Sequence, residues 1–125
     1  MATLLVMDKG VAVERLELTE EKTYLGRAPN CEVVVDDETV SNVHAVIEAL
    51  DDPNHEGAKE YYIRDLDSTN HTYLNDKPIT HQRIHTNDVV RVGWMHLKFV
   101  DENEKSYEKT KKIHKSWIPG IFYTK

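Results

Sequence analysis

Two polar clusters carry the residues best suited to chemistry in a chain otherwise made of short apolar runs. Gly26-Arg27 is followed fourteen residues later by Ser41-Asn42-Val43-His44, and a second cluster runs from Asp67 to Asn75. Arginine offers a permanently charged planar donor group, a hydroxyl adds another donor, and an amide can pair with a peptide main chain. Such residues can hold a phosphate and the backbone beside it without reacting with either, which predicts a phosphopeptide-binding site.

Two other readings of these residue types involve catalysis or metal binding. Ser41 and His44 could form a nucleophile and its base, and the spacing of His81 and His85 places both on one face of a helix or strand. No oriented acid or oxyanion motif accompanies the first pair, and no His-Glu motif or carboxylate cluster accompanies the second. The single cysteine, Cys31, can form neither a thiolate zinc site nor an intramolecular disulfide. The sequence therefore predicts no catalytic residue, no metal ligand and no cofactor, in a protein that is not an enzyme.

Short β-strands must position the two clusters, because runs rich in Val, Ile, Leu and Tyr recur between turn residues while helical periodicity is scarce. Gly10 can supply the positive φ that a tight hairpin between the first two strands needs, and the second strand shows a slip of register near Arg15. The pattern predicts an all-β sandwich with more strands than the seven of an immunoglobulin layout. The predicted strands, about ten or eleven, span residues 3–7, 11–18, 23–26, 32–35, 43–50, 61–66, 72–74, 79, 83–84, 89–92 and 95–100.

Charge divides the chain into two parts. The net charge of the 125 residues is −6; residues 105–125 hold six lysines and one glutamate, a balance of +5, which leaves −11 for residues 1–104. An acidic body argues against nucleic acid as the main partner, because that affinity comes mostly from neutralised phosphates. No apolar run reaches the length of a membrane-spanning helix, and no secretory signal pattern begins the chain, so we expect a cytoplasmic protein.

The basic tail interleaves lysines with large apolar side chains, ending in Trp117-Ile118-Pro119-Gly120-Ile121-Phe122-Tyr123. Pro119-Gly120 excludes one long amphipathic helix. The tail could dock on its own sandwich or on a sister subunit, bind a partner, or lie on a membrane surface, and the first is favoured because apolar residues near a terminus usually cover the nearest open face. We therefore expect one domain over residues 1–104 and a separate C-terminal extension over residues 105–125.

The motifs, taken in order, resemble one known family. Gly26-Arg27, Ser41-x-x-His44, Ser68-Thr69-Asn70-x-Thr72 and Asn75 are similar in order and spacing to the forkhead-associated (FHA) domain, and the likeness covers residues 3–100. The resemblance implies an eleven-stranded antiparallel β-sandwich whose loops at one end bind phosphothreonine peptides, with threonine preferred over serine through a niche for its methyl group. It implies no catalytic activity.

The resemblance also assigns roles within the clusters. Arg27 and Ser41 would bind phosphate oxygens, and Asn42 would be a further donor where many FHA domains have a basic residue. Thr69 would be another phosphate contact, and Asn70 would pair with the main chain of the ligand. The positive charge of the site would then rest mainly on Arg27.

Three more residues are expected to hold the loops: Gly26, by allowing a tight backbone beneath the arginine, His44, by side-chain hydrogen bonds, and Asn75, by bracing a turn. Two positions depart from the family pattern, because His71 stands where glycine is usual and Asn75-Asp76 stands where an Asn-Gly turn is usual. If position 71 needs a positive φ, histidine there is strained by about 1 kcal/mol or more. We hypothesise that His71 contacts the phosphate or flanking ligand residues, tunes selectivity, and strengthens binding as it protonates.

Two function classes remain open. The first is a phosphothreonine-binding adaptor whose partners are phosphoproteins of a Ser/Thr kinase pathway. The second is an FHA-like scaffold that associates with other proteins, or with itself, through its sheet faces or its tail without phosphate. The five polar loop residues together favour the first, since a purely structural sandwich has no need of them.

Overall fold

Residues 2–54 and 57–102 are described by the structure, a computed structural model, and they contain eleven β-strands. The strands are β1 Ala2–Asp8, β2 Val11–Glu17, β3 Lys22–Gly26, β4 Val33–Val34, β5 Ala45–Asp51, β6 Lys59–Asp65, β7 Thr72–Leu74, β8 Lys77–Ile79, β9 His81–Ile84, β10 Val89–Val92 and β11 Met95–Asp101. The predicted all-β class is confirmed, and the observed strands lie close to the predicted ones.

The strands form two sheets that pack face to face. One has the order β2-β1-β11-β10-β7-β8 and the other has the order β4-β3-β5-β6-β9. The pairing differs from a fully antiparallel sandwich at one place, where β4 pairs with β3 in parallel through Leu25 with Val33 and Gly26 with Val34. A parallel neighbour needs a crossover connection rather than a hairpin, so the chain after Gly26 must loop out and return alongside. That loop carries Arg27.

Alternating side chains of both sheets build the core, as a sandwich requires. Leu4 and Phe99 from one sheet and Leu25 and Ile63 from the other are fully buried. Across the interface, the rings of Tyr61 and Phe99 lie with centroids 5.2 Å apart. This shared core is the rigid support from which the loops project.

The first hairpin confirms the predicted turn and relocates the predicted register slip. Gly10 has a φ of 81°, in the left-handed region that glycine adopts without a Cβ clash. Val6 pairs with Glu14 and Met7 pairs with Ala12, so the extra residue is Val13, two positions before Arg15. The bulge bends β2, the edge strand of its sheet.

Two differences between the predicted and the observed strands affect the loops of interest. The predicted strand 43–50 begins only at Ala45, although the backbone N–H of the buried His44 still donates to the carbonyl of Leu25. The predicted strand 32–35 contracts to Val33–Val34. No helix within residues 2–54 and 57–102 has the length and apolar character needed to cross a membrane. The expected tail, 105–125, falls outside the described residues, so its predicted roles stay predictions.

Candidate functional site

The loops bearing the two polar clusters meet at one end of the sandwich because of the strand register. Leu25 near the end of β3 pairs with Ala45 at the start of β5, which in turn pairs with Asp65 at the end of β6. The β3–β4, β4–β5 and β6–β7 loops therefore leave the sheet side by side. The end of β10 lies beside the start of β7, through the pair Arg91 and Tyr73, so the β10–β11 turn is at the same end.

Close backbone contact joins the first loop to the second. The N–H of Arg27 donates to the carbonyl of Ser41 at 3.0 Å, and that of Ala28 donates to the carbonyl of Asn42 at 3.1 Å. A Cβ built on Gly26 would lie 2.2 Å from the Asn42 carbonyl oxygen. Gly26 therefore serves this close approach rather than a left-handed turn, since its φ is not among the positive values.

The guanidinium of Arg27 is hydrogen-bonded to the protein through Nε, while its two terminal nitrogens form no hydrogen bond with the described residues. Its Nε donates to the Val40 carbonyl at 3.1 Å, and the residue as a whole is exposed. Among residues 2–54 and 57–102 no carboxylate forms an ion pair with it. The two terminal nitrogens of the guanidinium are thus available, in a fixed plane, to an anion from solvent.

Ser41 links the second loop to the third. Its Oγ accepts a hydrogen bond from the Thr69 N–H at 3.2 Å, so the hydroxyl proton can point away to another acceptor. Because Ser41 also supplies the carbonyl that Arg27 N–H contacts, its hydroxyl and the guanidinium belong to one rigid arrangement. Asn42 and the Thr69 side chain are exposed beside it, as a shared ligand site requires.

Asn70 has a structural contact that the sequence did not suggest. Its Nδ2 donates to the Thr39 carbonyl at 2.7 Å, which ties the third loop to the second. One of its two amide N–H bonds is therefore committed to the protein. The carbonyl oxygen and the other N–H form no hydrogen bond within the described residues and can still pair with the main chain of a ligand.

His44 is buried between the loops with both ring nitrogens occupied. Nδ1 accepts from the Ser41 N–H at 3.1 Å, and Nε2 lies 2.9 Å from the His71 carbonyl. Since a carbonyl only accepts, Nε2 carries the proton and the ring is neutral. The ring therefore braces two loops, and the Ser41 hydroxyl is bonded to Thr69 rather than to His44, so the two do not form a nucleophile–base pair.

Asp65, at the end of β6, is a bracing residue that the sequence reading missed. Its carboxylate accepts hydrogen bonds from the N–H and hydroxyl of Ser68 at 3.1 and 2.5 Å and from the Thr72 hydroxyl at 2.7 Å. Burial alone would raise the pKa of Asp65, but these bonds outweigh burial and lower the pKa below its usual value. The Asp-x-x-Ser spacing after a strand was the available signal, since such a carboxylate commonly caps a turn.

Known proteins can be compared with this arrangement. The FHA domain family model matches residues 23–93, which include Arg27, Ser41, His44, Thr69 and Asn70. The chain belongs to the FHA family.

Several relatives of this FHA domain are regulatory proteins. An oxoglutarate dehydrogenase inhibitor of Corynebacterium jeikeium is 30% identical over 106 residues, which are 84% of this chain and 69% of that protein. The glycogen accumulation regulator GarA of Mycolicibacterium smegmatis is 33% identical over 100 residues, 79% of this chain and 59% of that protein. This chain thus spans only part of the length of these relatives.

Solved FHA structures share the fold. A chain from a study of phosphothreonine-dependent FHA domain interactions has a TM-score of 0.67 and 26% identity, covering 81% of this chain and 96% of that one. EmbR of Mycobacterium tuberculosis, solved with a low-affinity phosphopeptide, has a TM-score of 0.66 and 26% identity, covering 79% of this chain and 24% of that one. Both confirm the sandwich.

Two residues with a left-handed backbone, His71 and Asp76, stand where the family pattern has glycine. His71 has a φ of 66°, so it adopts the backbone conformation that the usual glycine suits, and its carbonyl is held there by His44. Its exposed ring lies 6.4 Å from that of Tyr73, edge to face. A contact between His71 and phosphate stays a prediction.

Asn75 and Asp76, at φ 51° and 70°, form the β7–β8 turn. The Asn75 amide donates to Asp88 Oδ1 at 3.0 Å and accepts from the Val89 N–H at 2.9 Å. Asn75 therefore braces this turn against the segment that leads into β10, and the short strand β7 separates it from the β6–β7 loop, which carries Thr69 and Asn70.

The structure also shows what lies beside His81 and Cys31, two residues considered as metal ligands. His81 Nε2 lies 4.0 Å from Glu48 Oε1, at the edge of the sheet. Over the part of the chain that the structure describes, no three His, Cys, Asp or Glu side chains come together as a metal site. Cys31 is buried, and its thiol donates to the Asn42 carbonyl at 3.3 Å, so it supports the backbone that packs on Gly26.

Proposed function

We propose that this FHA domain binds a phosphothreonine-containing segment of another protein through Arg27, Ser41, Asn42, Thr69 and Asn70, and acts as an adaptor in a Ser/Thr kinase pathway. One observation carries the proposal. The exposed guanidinium of Arg27 is oriented by the Val40 carbonyl and makes no ion pair with a described carboxylate, and the Ser41 hydroxyl belongs to the same backbone arrangement.

The geometry suits a dianion bound locally. A phosphothreonine carries a charge of about −1.5 to −2 at neutral pH, and each charge-assisted hydrogen bond to it contributes about 1.5–3 kcal/mol. The protein is acidic overall, so its general field repels anions and the attraction must come from a few oriented donors. Arg27 provides the charge, while Ser41 and Asn42 provide neutral donors.

The surrounding hydrogen bonds favour binding rather than chemistry. Every loop at this end is tied to a neighbour: Arg27 to Val40, Thr69 to Ser41, and Asn70 to Thr39. Loops fixed in this way do not have to be ordered when the peptide arrives, which preserves affinity. Both ring nitrogens of His44 are hydrogen-bonded to backbone groups, so the ring is not available as a general base. This supports the interpretation that the protein is not an enzyme.

The pathway is inferred from the relatives. An inhibitor of oxoglutarate dehydrogenase and a glycogen accumulation regulator are both proteins that control metabolism. We infer that this chain likewise regulates a target protein by binding it, with Ser/Thr phosphorylation deciding when it binds. The cytoplasmic location expected from the sequence belongs to the same proposal.

Isothermal titration tests the proposal with three matched peptide pools that differ only at the central residue. We expect the phosphothreonine pool to bind and the unphosphorylated twin to show no saturable binding. The phosphoserine pool should bind about fivefold more weakly, from the loss of one methyl contact of about 1 kcal/mol. Equal affinity for the phosphorylated and unphosphorylated pools would contradict the proposal.

The scaffold alternative has one structural observation in its favour. Val11 and Val13, on the edge strand β2, are 62% and 61% exposed. An exposed apolar edge strand is a place where another chain can pair. If association used this edge, partner binding would survive Ser41→Ala and be lost on Val13→Lys, the reverse of what the phosphopeptide proposal predicts.

A further inference from the structure

Trp94 is held at the binding end of the sandwich in an exposed but fixed position. It lies in the β10–β11 turn and is 56% exposed. Its backbone N–H donates to Asp37 Oδ2 at 3.1 Å, and its indole Nε1 donates to the Asp36 carbonyl at 3.3 Å. A large aromatic side chain anchored by its polar atom and still open to solvent is a preorganised contact surface.

The glycine before it keeps this turn against the β4–β5 loop. Gly93 has a φ of 61°, and a Cβ there would lie 2.5 Å from a methyl carbon of Val40 and 2.6 Å from Asp37 Oδ2. A side chain at position 93 would push the two segments apart. The contact between the Trp94 turn and the β4–β5 loop is thus part of the fold.

The same β4–β5 loop carries the proposed phosphate contacts. Asp37 Oδ1 accepts from the N–H and hydroxyl of Thr39, whose carbonyl accepts from Asn70, and the Val40 carbonyl accepts from Arg27. Val40 lies four positions after Asp36, whose carbonyl contacts the indole. An extended chain of that length spans at most about 14 Å. A peptide whose phosphate reaches Arg27 can therefore reach Trp94 with a side chain about four residues away.

The segment that contacts Trp94, residues 36–38, is entirely acidic, which favours a cation as the occupant of this surface. Asp36 and Glu38 are exposed, and neither forms an ion pair with a described lysine or arginine. The Asp37 carboxylate accepts bonds from Thr39 and from Trp94, which together keep its pKa below the usual value and the group ionised. An aromatic face beside acidic groups attracts lysine or arginine, through cation–π contact and opposite charge.

We propose that Trp94, with Asp36 and Glu38, forms a second subsite that takes a lysine or arginine of the phosphopeptide within about four residues of the phosphothreonine. The proposal rests on the proposed function, since the phosphate fixes where the peptide lies. The ligand would then be bipolar, with its phosphate on Arg27 and its basic side chain on the indole. This pairing disfavours phosphopeptides that are acidic around the modified threonine.

The test is a positional scan measured by titration. Phosphothreonine peptides with alanine at every flanking position are compared with versions that carry one lysine at each position from four before to four after the phosphothreonine. We expect one position, or two adjacent ones, at which lysine strengthens binding about fivefold, the range of a partly exposed cation–π contact. Trp94→Ala and the double variant Asp36→Asn, Glu38→Gln should each lose this preference, while Trp94→Phe should keep part of it.

Each outcome decides a separate question. Trp94→Ala and Trp94→Phe should still bind the all-alanine phosphopeptide as the unmodified protein does, and the double variant, which removes two negative charges, should bind it at least as tightly. These results would show that the variants are folded and that the phosphate contacts are intact. Phosphate-dependent binding with no lysine preference, or a preference unchanged in Trp94→Ala, overturns the subsite alone. Binding that ignores the phosphate overturns the proposed function and the subsite with it.

Discussion

Replacing His44 tests the claim that this histidine is a brace for two loops. The side chain is fully buried and makes two hydrogen bonds, with the Ser41 N–H at 3.1 Å and the His71 carbonyl at 2.9 Å. His44→Ala removes both hydrogen bonds, leaves the Ser41 N–H and the His71 carbonyl without their partner, and opens a cavity. A buried polar group left unsatisfied costs about 1–3 kcal/mol, and the cavity adds to this, so the expected loss of unfolding free energy is about 3–5 kcal/mol. That is a large fraction of the stability of a typical domain.

Urea unfolding and phosphopeptide titration together measure the effect. His44→Asn can replace only the Nδ1 acceptor and His44→Gln only the Nε2 donor, so each should fall between the unmodified protein and His44→Ala. His96→Ala, on the exposed face of β11, is the control and should change stability by less than about 0.5 kcal/mol. Phosphopeptide affinity should fall in His44→Ala although the ring touches no ligand. A His44→Ala variant as stable as His96→Ala would refute the reasoning.

The remaining stability and pH predictions concern the same loops. Gly26→Ala should lower the unfolding free energy by about 1–3 kcal/mol and weaken phosphopeptide binding, because the added Cβ meets the Asn42 carbonyl; urea unfolding checks the first and titration the second. For Asp65, whose folded pKa is lowered, the stability contribution is complete above the unfolded pKa near 4 and is lost as pH falls through the folded pKa. Unfolding curves from pH 7 to pH 2 should show this loss, and Asp65→Asn should be less stable at pH 7 and lack that part of the pH dependence. His71→Gly should raise stability by about 1 kcal/mol by relieving its positive φ, as measured by thermal unfolding. If His71 contacts the phosphate, His71→Ala should also reduce the difference in phosphopeptide affinity between pH 6 and pH 8, beyond the change due to the phosphate itself; an unchanged difference refutes that contact.

Much of the fold was readable from local pattern. Apolar runs between turn residues located the strands, and Gly10 marked the first hairpin correctly, because strand alternation and turn chemistry are local properties. The parallel pairing of β4 with β3 was not readable. Two residues of strand, Val33–Val34, contain no information about the direction of their neighbour.

The candidate site, too, could be predicted only in part from the sequence. The residue types and order pointed to Arg27, Ser41 and Asn70, which the strand register brings to one end of the sandwich. Their supporting contacts could not be predicted, because they join residues far apart in sequence: Thr69 to Ser41 across 28 residues and Asn70 to Thr39 across 31. The reason for Gly26 was also hidden, since a close approach to Asn42 is a property of the assembled loops.

The most direct test of phosphate recognition is the affinity ratio between Arg27→Ala and a matched control. Arg15→Ala removes the same charge from the exposed edge strand β2, so the two variants have equal net charge. The unmodified protein and both variants are titrated with one phosphothreonine peptide pool. Loss of charge-assisted bonds of about 1.5–3 kcal/mol predicts that Arg27→Ala binds at least about tenfold more weakly, with Arg15→Ala nearly unchanged. Equal affinities for the two variants would contradict the assignment of Arg27 as the phosphate-binding residue.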